Sequence, residues 1–425
     1  MTLIERDAAV IWHPYTQMKT TGLAVPIVKG QGLYLTDENG KQYMDAISSW
    51  WVNIHGHAHP YIAQKVADQL NKLEHVIFSG FTHEPAIELA ERLLKCLPAN
   101  QSKIFYSDNG STAVEVALKM AIQFWYNQGK KKQKIIALEH SYHGDTFGAM
   151  SVSARSAFTN PFFPFLFEVL HIPFPHKYEE HKTVEALKEI MKNGKDEIAA
   201  FIFEPLVLGA GGMLMYEEDT LNELMGICKE NGVLNIADEV MTGFGRTGKM
   251  FASEYLTHQP DILCLSKGLT GGTMALGVTS CTQKIYDAFL SDDKGKTFFH
   301  GHSFTANPVA CAASLASLDL LLDDECQKNI RMIASAQQGF ADELQKFPNA
   351  ENIRNKGTLL AFDFKTHEHN SYFNSVRDQL YKYFLDKGII IRPLGNTIYL
   401  MTPYCIQSSE LSSIYDTIKE RLVIG

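Results

Sequence analysis

The sequence predicts an α/β protein, a mainly parallel sheet with helices on both faces, followed by a smaller α+β unit. Three observations predict it. In the middle of the chain short apolar runs alternate with helical patterns, as in a parallel sheet crossed by helices. Two of those runs close on an ionisable residue: Gly232 to Ala237 ends on Asp238, and the run from Asp261 ends on Lys267. From about Ser314 the rhythm changes to longer helical patterns separated by short strands.

Single hydrophobic cores stop growing beyond roughly 250–300 residues, so a chain of 425 residues is expected to form more than one unit. Residues 55–315 are expected to form the large domain and residues 316–425 a small one, with residues 1–54 packing on the small one. In order, Tyr34 to Thr36 and Gln42 to Met44 around Asp37-Glu38-Asn39-Gly40 read as a hairpin. Ile104 to Tyr106 is a strand and Thr112 to Tyr126 a helix, and Lys134 to Leu138 is a strand. The proline- and phenylalanine-rich segment Asn160 to His176 reads as a packed irregular excursion. Thr183 to Lys192 is helical, Ile198 to Phe203 a strand, Thr220 to Asn231 a helix, and Val233 to Ala237 and Ile262 to Leu265 strands. A long helical pattern runs from Ser314 through Lys346. It is followed by a strand near Thr358 to Phe364, a helix near Ser371 to Lys387, strands at Ile389 to Arg392 and Thr397 to Met401, and a last helix from Ser408.

Composition narrows the function. Hydrophobic residues make up 45% and charged ones 20%, as in ordinary globular proteins. A net charge of -9 argues against nucleic acid and anionic membranes as partners, and no run approaches the ~18 apolar residues of a membrane span. Met1 to Ile11 carries Glu5, Arg6 and Asp7 and does not read as a secretion signal. Lys130-Lys131-Lys132 with Lys134 reads as a solvated loop. Seven dispersed cysteines suggest reduced thiols and a cytoplasmic enzyme.

Ligands on parallel sheets sit outside the carboxyl ends of the strands, where Asp238 and Lys267 fall. A lysine amine there can condense with the aldehyde of pyridoxal 5′-phosphate, and a carboxylate can keep the pyridine nitrogen protonated. A buried salt bridge is the alternative. Ser107 through Glu115 joins a strand to a helix, with Thr112 and Glu115 fitting a capping box. Helix-start amides beside Gly110 and Ser111 suit a phosphate; a plain capped helix is the alternative. Tyr142 follows the strand ending at Leu138 and is placed to lie on a planar cofactor, or in the core. Arg392 ends Gly388-Ile389-Ile390-Ile391 and can clamp a carboxylate, or form a surface salt bridge. Trp50 and Trp51 are adjacent, so at most one faces a given pocket.

Two other patterns lead to other chemistries. Gly243-Phe244-Gly245-Arg246-Thr247-Gly248 matches a dinucleotide fingerprint, but no clear helix opens after it, and it reads as a flexible loop. His55, His57 and His59, and His300 with His302, alternate as zinc ligands sometimes do. No cysteine or carboxylate completes either set, so no metal is expected and a metal-dependent hydrolase is the remote alternative.

Taken together the motifs resemble the class III, fold-type I aminotransferases over almost the whole chain. The matching stretches are Trp12 through Met18, Ser48 through Gly56, Gly110-Ser111, Tyr142-His143-Gly144-Asp145-Thr146, and Glu204-Pro205 with Gly209 to Gly212. They continue with Ala237-Asp238-Glu239-Val240, Ser266-Lys267-Gly268, His300 through Ser303 with Asn307-Pro308, and Arg392-Pro393 with Tyr399. The Trp-His-Pro-Tyr opening and the Ser-Ser-Trp-Trp element are the more specific, and resemble the branch that aminates 8-amino-7-oxononanoate in biotin synthesis.

The resemblance implies a pyridoxal-phosphate fold with a seven-stranded-type sheet, a homodimer with shared active sites, and small-molecule substrates. The substrates implied are the oxononanoate and an amino donor, S-adenosylmethionine or lysine. It implies that Lys267 bonds the cofactor, Asp238 holds the pyridine nitrogen, Gly110 and Ser111 hold the phosphate, and Tyr142 stacks on the ring. His302 and Ser303 are implied to reach the partner's cofactor. Tyr15, Trp50, Tyr142, Asp145 and Gly301 are implied to line the substrate pocket, with Tyr15 also catalytic. Arg392 and Tyr399 are implied to take the far carboxylate. The family often has Pro-Thr or His-Thr where this chain has His302-Ser303; serine keeps the hydroxyl. Another class III enzyme, acting on ornithine, 4-aminobutyrate or a diamine, is the nearest alternative.

Overall fold

The computed structural model describes residues 1–368 and 372–424. Its centre is a seven-stranded sheet in the order Gln101–Ser107, Gly277–Thr282, Ile262–Leu265, Leu234–Asp238, Ile198–Phe203, Lys134–Leu138, Val169–Ile172. Every strand is parallel except Gly277–Thr282, which runs antiparallel to both neighbours. Ile198–Phe203 is buried along its whole length, because helices cover both faces of a parallel sheet and demand a continuous apolar run.

Two strands of this sheet escaped the sequence reading. Gly277–Thr282 is too polar to read as buried, yet Thr279 donates to the Ala113 carbonyl at 2.8 Å and Ser280 to Gln101 Oε1 at 2.7 Å. Those bonds remove the cost of burying the hydroxyls. Val169–Ile172 lies inside the segment expected to be irregular; it pairs with Lys134–Leu138 as the sheet's edge, after a short 3₁₀ turn at Asn160–Phe165.

The expected long helix from Ser314 is two helices, Pro308–Leu322 and Asp324–Leu344. Asp323 breaks it by accepting the Glu325 amide at 2.9 Å as an N-cap. Ala313 and Ala316 of the first helix pack with Ile62, so the expected boundary at 315/316 falls inside an element. Strand Ala350–Lys356, also unread, pairs with Leu359–Phe364, which pairs with Thr397–Leu400. The helix expected near Ser371 is observed as Val376–Asp386; Ser371 lies outside the described residues.

The hairpin Tyr34–Asp37/Gln42–Asp45 forms as expected. Asp37 turns it by accepting the Asn39 and Lys41 amides at 2.9 Å each. Ile389–Ile390 adds to it in parallel, opposite Met44 and Asp45, so the two ends of the chain share one sheet. Lys132 departs from the solvated run expected of it. It is buried and its ammonium donates to the Lys195 and Gly232 carbonyls at 3.0 and 2.8 Å.

Candidate active site

Leu234–Asp238 and Ile262–Leu265 are neighbours, with Asp238 opposite Cys264. Their carboxyl ends therefore open at one edge. Just past Ser266, Lys267 adopts a left-handed φ of 45°, a backbone cost tolerated where surroundings fix it. Its Nζ lies 4.7 Å from the Trp51 ring centroid. Lys267 and Asp238 both line a cavity of about 660 Å³ that also touches Ser111, Tyr142, Asp145 and Trp51.

Burial pushes the Lys267 amine down to about 8, with Asp238 and Glu204 pulling it partly back and Arg246 adding to the fall. The unfolded chain keeps a lysine proton up to about pH 10.4. Between those two values the unfolded state binds the extra proton, so this group makes folding more favourable as pH rises. Thermal unfolding of the cofactor-free chain should therefore show wild type gaining on Lys267→Met from pH 8 to 10. Parallel curves for the two would contradict the depressed amine.

Asp238 is held from two sides. Its Oδ2 lies 2.7 Å from His143 Nδ1, and its Oδ1 accepts the Val240 amide at 3.1 Å. A carboxylate has about four acceptor sites, so it can still accept an N–H from the cavity. His143 Nε2 is buried without a hydrogen-bond partner among the described residues. Glu204, at the end of Ile198–Phe203, is buried and also lines the cavity. Its two oxygens accept the Tyr142 and Gly209 amides, each at 2.9 Å. Burial pushes its carboxyl up to about 7, against the pull of His143 and with a push from Asp238. Neither His143 nor Glu204 received a role from the sequence. Glu204 was findable, since it follows an apolar strand as Asp238 and Lys267 do.

At the helix Gly110–Asn127 the expected capping box is replaced by another. The helix begins two residues earlier, so Asn109 is the cap. Its Oδ1 accepts the Thr112 amide at 3.0 Å, and Thr112 Oγ1 accepts the Asn109 amide at 2.9 Å. Glu115, freed from that box, caps Phe147–Val152 instead, accepting the Gly148 and Ala149 amides at 2.7 and 3.2 Å. The helix start is closely packed. A Cβ on Gly110 would lie 2.7 Å from Val240 Cγ1, and one on Gly144 2.1 Å from Ser111 Oγ. Only glycine lets these backbones approach, and the helix start favours an anion.

The outer wall begins at Tyr15, whose hydroxyl donates to Asp145 Oδ2 at 2.6 Å and lies 3.5 Å from the Tyr142 hydroxyl. Burial first and the Asp145 bond second push Tyr15 up to about 12. The Tyr15 ring meets Trp50 edge-on at 5.7 Å, and the Arg392 guanidinium lies 4.8 Å from the Trp50 ring. No carboxylate among the described residues pairs with Arg392, against the surface salt bridge that was its alternative.

The tryptophans divide the work. Ser48, Ser49 and Trp51 have φ of 51°, 60° and 70°, which turns the two rings apart. Trp51, not Trp50, lines the Lys267 cavity, an assignment the sequence reading missed. Tyr399 is buried behind it, its hydroxyl accepting Trp51 Nε1–H at 3.0 Å.

Gly301, His302 and Ser303 are not brought to this cavity. Gly301 and Ser303 are exposed, and His302 faces Asp108 at 3.6 Å and His300 at 3.2 Å. The other histidines diverge: His55 bonds Ser317 at 3.0 Å and His57 bonds Asp45 at 2.9 Å. The glycine loop expected to be flexible is packed. Residues 241–247 are buried, and Arg246 donates to the Thr402 and Trp51 carbonyls at 2.9 and 3.3 Å.

Comparison with known proteins agrees with this geometry. The family model for class III aminotransferases matches residues 15–422, and the chain belongs to that family. A Synechococcus elongatus protein named adenosylmethionine-8-amino-7-oxononanoate aminotransferase is 45% identical over 97% of this chain and 98% of its own. The Staphylococcus aureus protein of that name is 37% identical over 98% of this chain and 96% of its own. The solved structure of the enzyme of that name from Methanocaldococcus jannaschii superposes with a TM-score of 0.93 at 35% identity, covering 98% of each chain. An omega transaminase from Pseudomonas jessenii, solved with PMP, also gives 0.93, at 26% identity over 100% of this chain and 98% of its own.

Proposed function

We propose that this chain aminates the 7-keto carbon of 8-amino-7-oxononanoate to give 7,8-diaminononanoate. Its amino donor in this reading is S-adenosylmethionine, its cofactor pyridoxal 5′-phosphate, and its order of substrates ping-pong. The observation that carries the reading is Arg392, without a carboxylate partner among the described residues, beside Trp50, which meets Tyr15, which in turn donates to Asp145 in the lining of the cavity that holds Lys267 and Asp238. An acceptor with a carboxylate at one end and a ketone several methylenes away fits that arrangement. The relatives named for that reaction support it.

The donor set fits the cofactor: an amine for its aldehyde, a carboxylate for its ring N–H, and a glycine-bounded helix start for its phosphate. When bound, pyridoxal phosphate supplies the aldehyde that carries the amino group and a ring that takes up the electron pair left by a departing proton. Lys267 Nζ, partly neutral near pH 8, would take the proton from the donor's reacting carbon and deliver it to the former aldehyde carbon of the cofactor, the reverse transfer serving the keto acceptor. Asp238 holds a proton at the pyridine nitrogen, oriented by His143. Gly110 and Ser111 bind the phosphate. Tyr142 covers the ring, its backbone clamped by Glu204. Tyr15 fixes Asp145, Trp50 covers the aliphatic chain, and Arg392 binds the carboxylate through two parallel hydrogen bonds. Tyr399 braces Trp51 from behind.

In the same reading two copies pair, and Gly301, His302 and Ser303 serve the partner's phosphate and substrate. That stretch is flanked by Phe299 and Phe304, 72% and 61% exposed. We place the enzyme in the cytoplasm, in keeping with seven free cysteines. No helix among the described residues is long and apolar enough to cross a membrane.

A coupled assay with the oxononanoate and each donor tests the reading against ornithine, 4-aminobutyrate and diamines. Turnover of one of those without the oxononanoate overturns it. Arg392→Ala should raise KM for the oxononanoate roughly 10- to 100-fold, the loss of a charge-assisted hydrogen bond, and leave the donor half-reaction rate unchanged. An unaltered KM removes Arg392 from the carboxylate role.

A further inference from the structure

The Tyr15 ring is a junction. On one side stands Trp50, leading to Arg392. On the other stands Phe158, 5.9 Å away at 73°, leading to a second arm with no assigned task. Phe158 meets Tyr372 at 4.6 Å and Phe373 at 6.2 Å. Phe158 is 37% exposed and Phe373 69%, so the arm presents aromatic surface outward from the site.

Its chemistry differs from that of the Arg392 arm. Arg377, beside Tyr372, is already engaged: it lies 4.8 Å from the Tyr372 ring, donates to the Tyr372 hydroxyl at 3.4 Å, and pairs with Asp378 at 3.0 Å. It braces Tyr372, and its charge is met by Asp378. Phe158 is held in a local turn, its amide donating to Ser156 Oγ at 3.3 Å. The arm therefore offers ring surface whose neighbouring guanidinium is already paired with Asp378. At its root lies the Asp145 carboxylate, bonded to Tyr15.

We propose that Phe158 and Tyr372, whose rings stand at 79° to one another, form the donor subsite, a corner in which the purine ring of an adenosyl-bearing amino donor stacks on one ring and meets the other edge-on. Flat heteroaromatic rings stack on such side chains. The donor's sulfonium cation is complementary to Asp145 and to the faces of Tyr15 and Phe158. A lysine donor has no ring to place there. The two arms thus sort the two substrates: the acid to Arg392, the nucleoside to Phe158 and Tyr372. This rests on the amino-transfer reading above and adds the specificity for the donor.

The test uses 5′-methylthioadenosine, which carries the purine ring but no amine to transfer, titrated calorimetrically into purified holoenzyme. Wild type binds it. Phe158→Ala and Tyr372→Ala each weaken binding about tenfold, within the range for losing one base–aromatic stack. Phe158→Trp keeps the affinity, and Arg392→Ala matches wild type. In steady state Phe158→Ala raises KM for S-adenosylmethionine by a similar factor and leaves KM for the oxononanoate unchanged. The proposal is overturned if wild type does not bind methylthioadenosine, if the alanine variants bind it like wild type, or if Arg392→Ala weakens it equally. A failure of the amino-transfer reading shows instead as wild-type enzyme with no turnover of the oxononanoate, whatever the calorimetry gives.

Discussion

Lys267→Ala is expected to lose amino transfer by more than about 10⁴-fold, because in the proposed reading one amine serves both as cofactor anchor and as proton carrier. No neighbour can substitute. The cavity's other ionisable groups are Asp238, Glu204, Asp145, Tyr142 and His143, and none is an amine. The fold should survive, since the substitution removes a desolvated amine held down to about 8 and leaves the Asp238–His143 and Glu204 contacts in place. Thermal unfolding no lower than wild type, with turnover gone, separates lost chemistry from lost structure. Residual activity near the wild-type level would remove Lys267 from the mechanism.

Asp238→Asn is expected to lower kcat roughly 10²–10³-fold, the scale for removing one preorganised electrostatic contact to a developing charge. The amide keeps the shape and can still meet the Val240 amide, so the cofactor should remain bound and visible by absorbance. What goes is the negative charge assigned in the proposed reading to the ring nitrogen, and with it the carboxylate partner of His143 Nδ1. The expected signature is a bound cofactor with slow proton removal, seen as a primary isotope effect on donor deuterated at the reacting carbon. A wild-type rate would contradict the assignment of Asp238 to the ring nitrogen.

What the sequence made legible follows from where the signals are local. Ile198–Phe203, Lys134–Leu138 and Ile262–Leu265 match their predicted bounds, because buried parallel strands need unbroken apolar runs. The same rule put Asp238 and Lys267 at one edge. Gly277–Thr282 was not legible, because its hydroxyls are satisfied by residues far along the chain. The Thr112–Glu115 box failed for a similar reason. Asn109 competed locally for the Thr112 amide, and Glu115 found a better partner in another helix. Trp51 beside Lys267 depends on positive φ at Ser48, Ser49 and Trp51 itself, which no periodicity reports. Phe158 and Tyr372 meet across more than two hundred residues, and only the fold brings them together.

The central claim is a covalent bond between the Lys267 amine and the aldehyde of pyridoxal phosphate, and borohydride reduction followed by peptide mapping tests it most directly. The account predicts one phosphopyridoxyl-modified peptide, carrying the label on residue 267. A label on any other lysine, or none on protein that had been loaded with the cofactor, would contradict it.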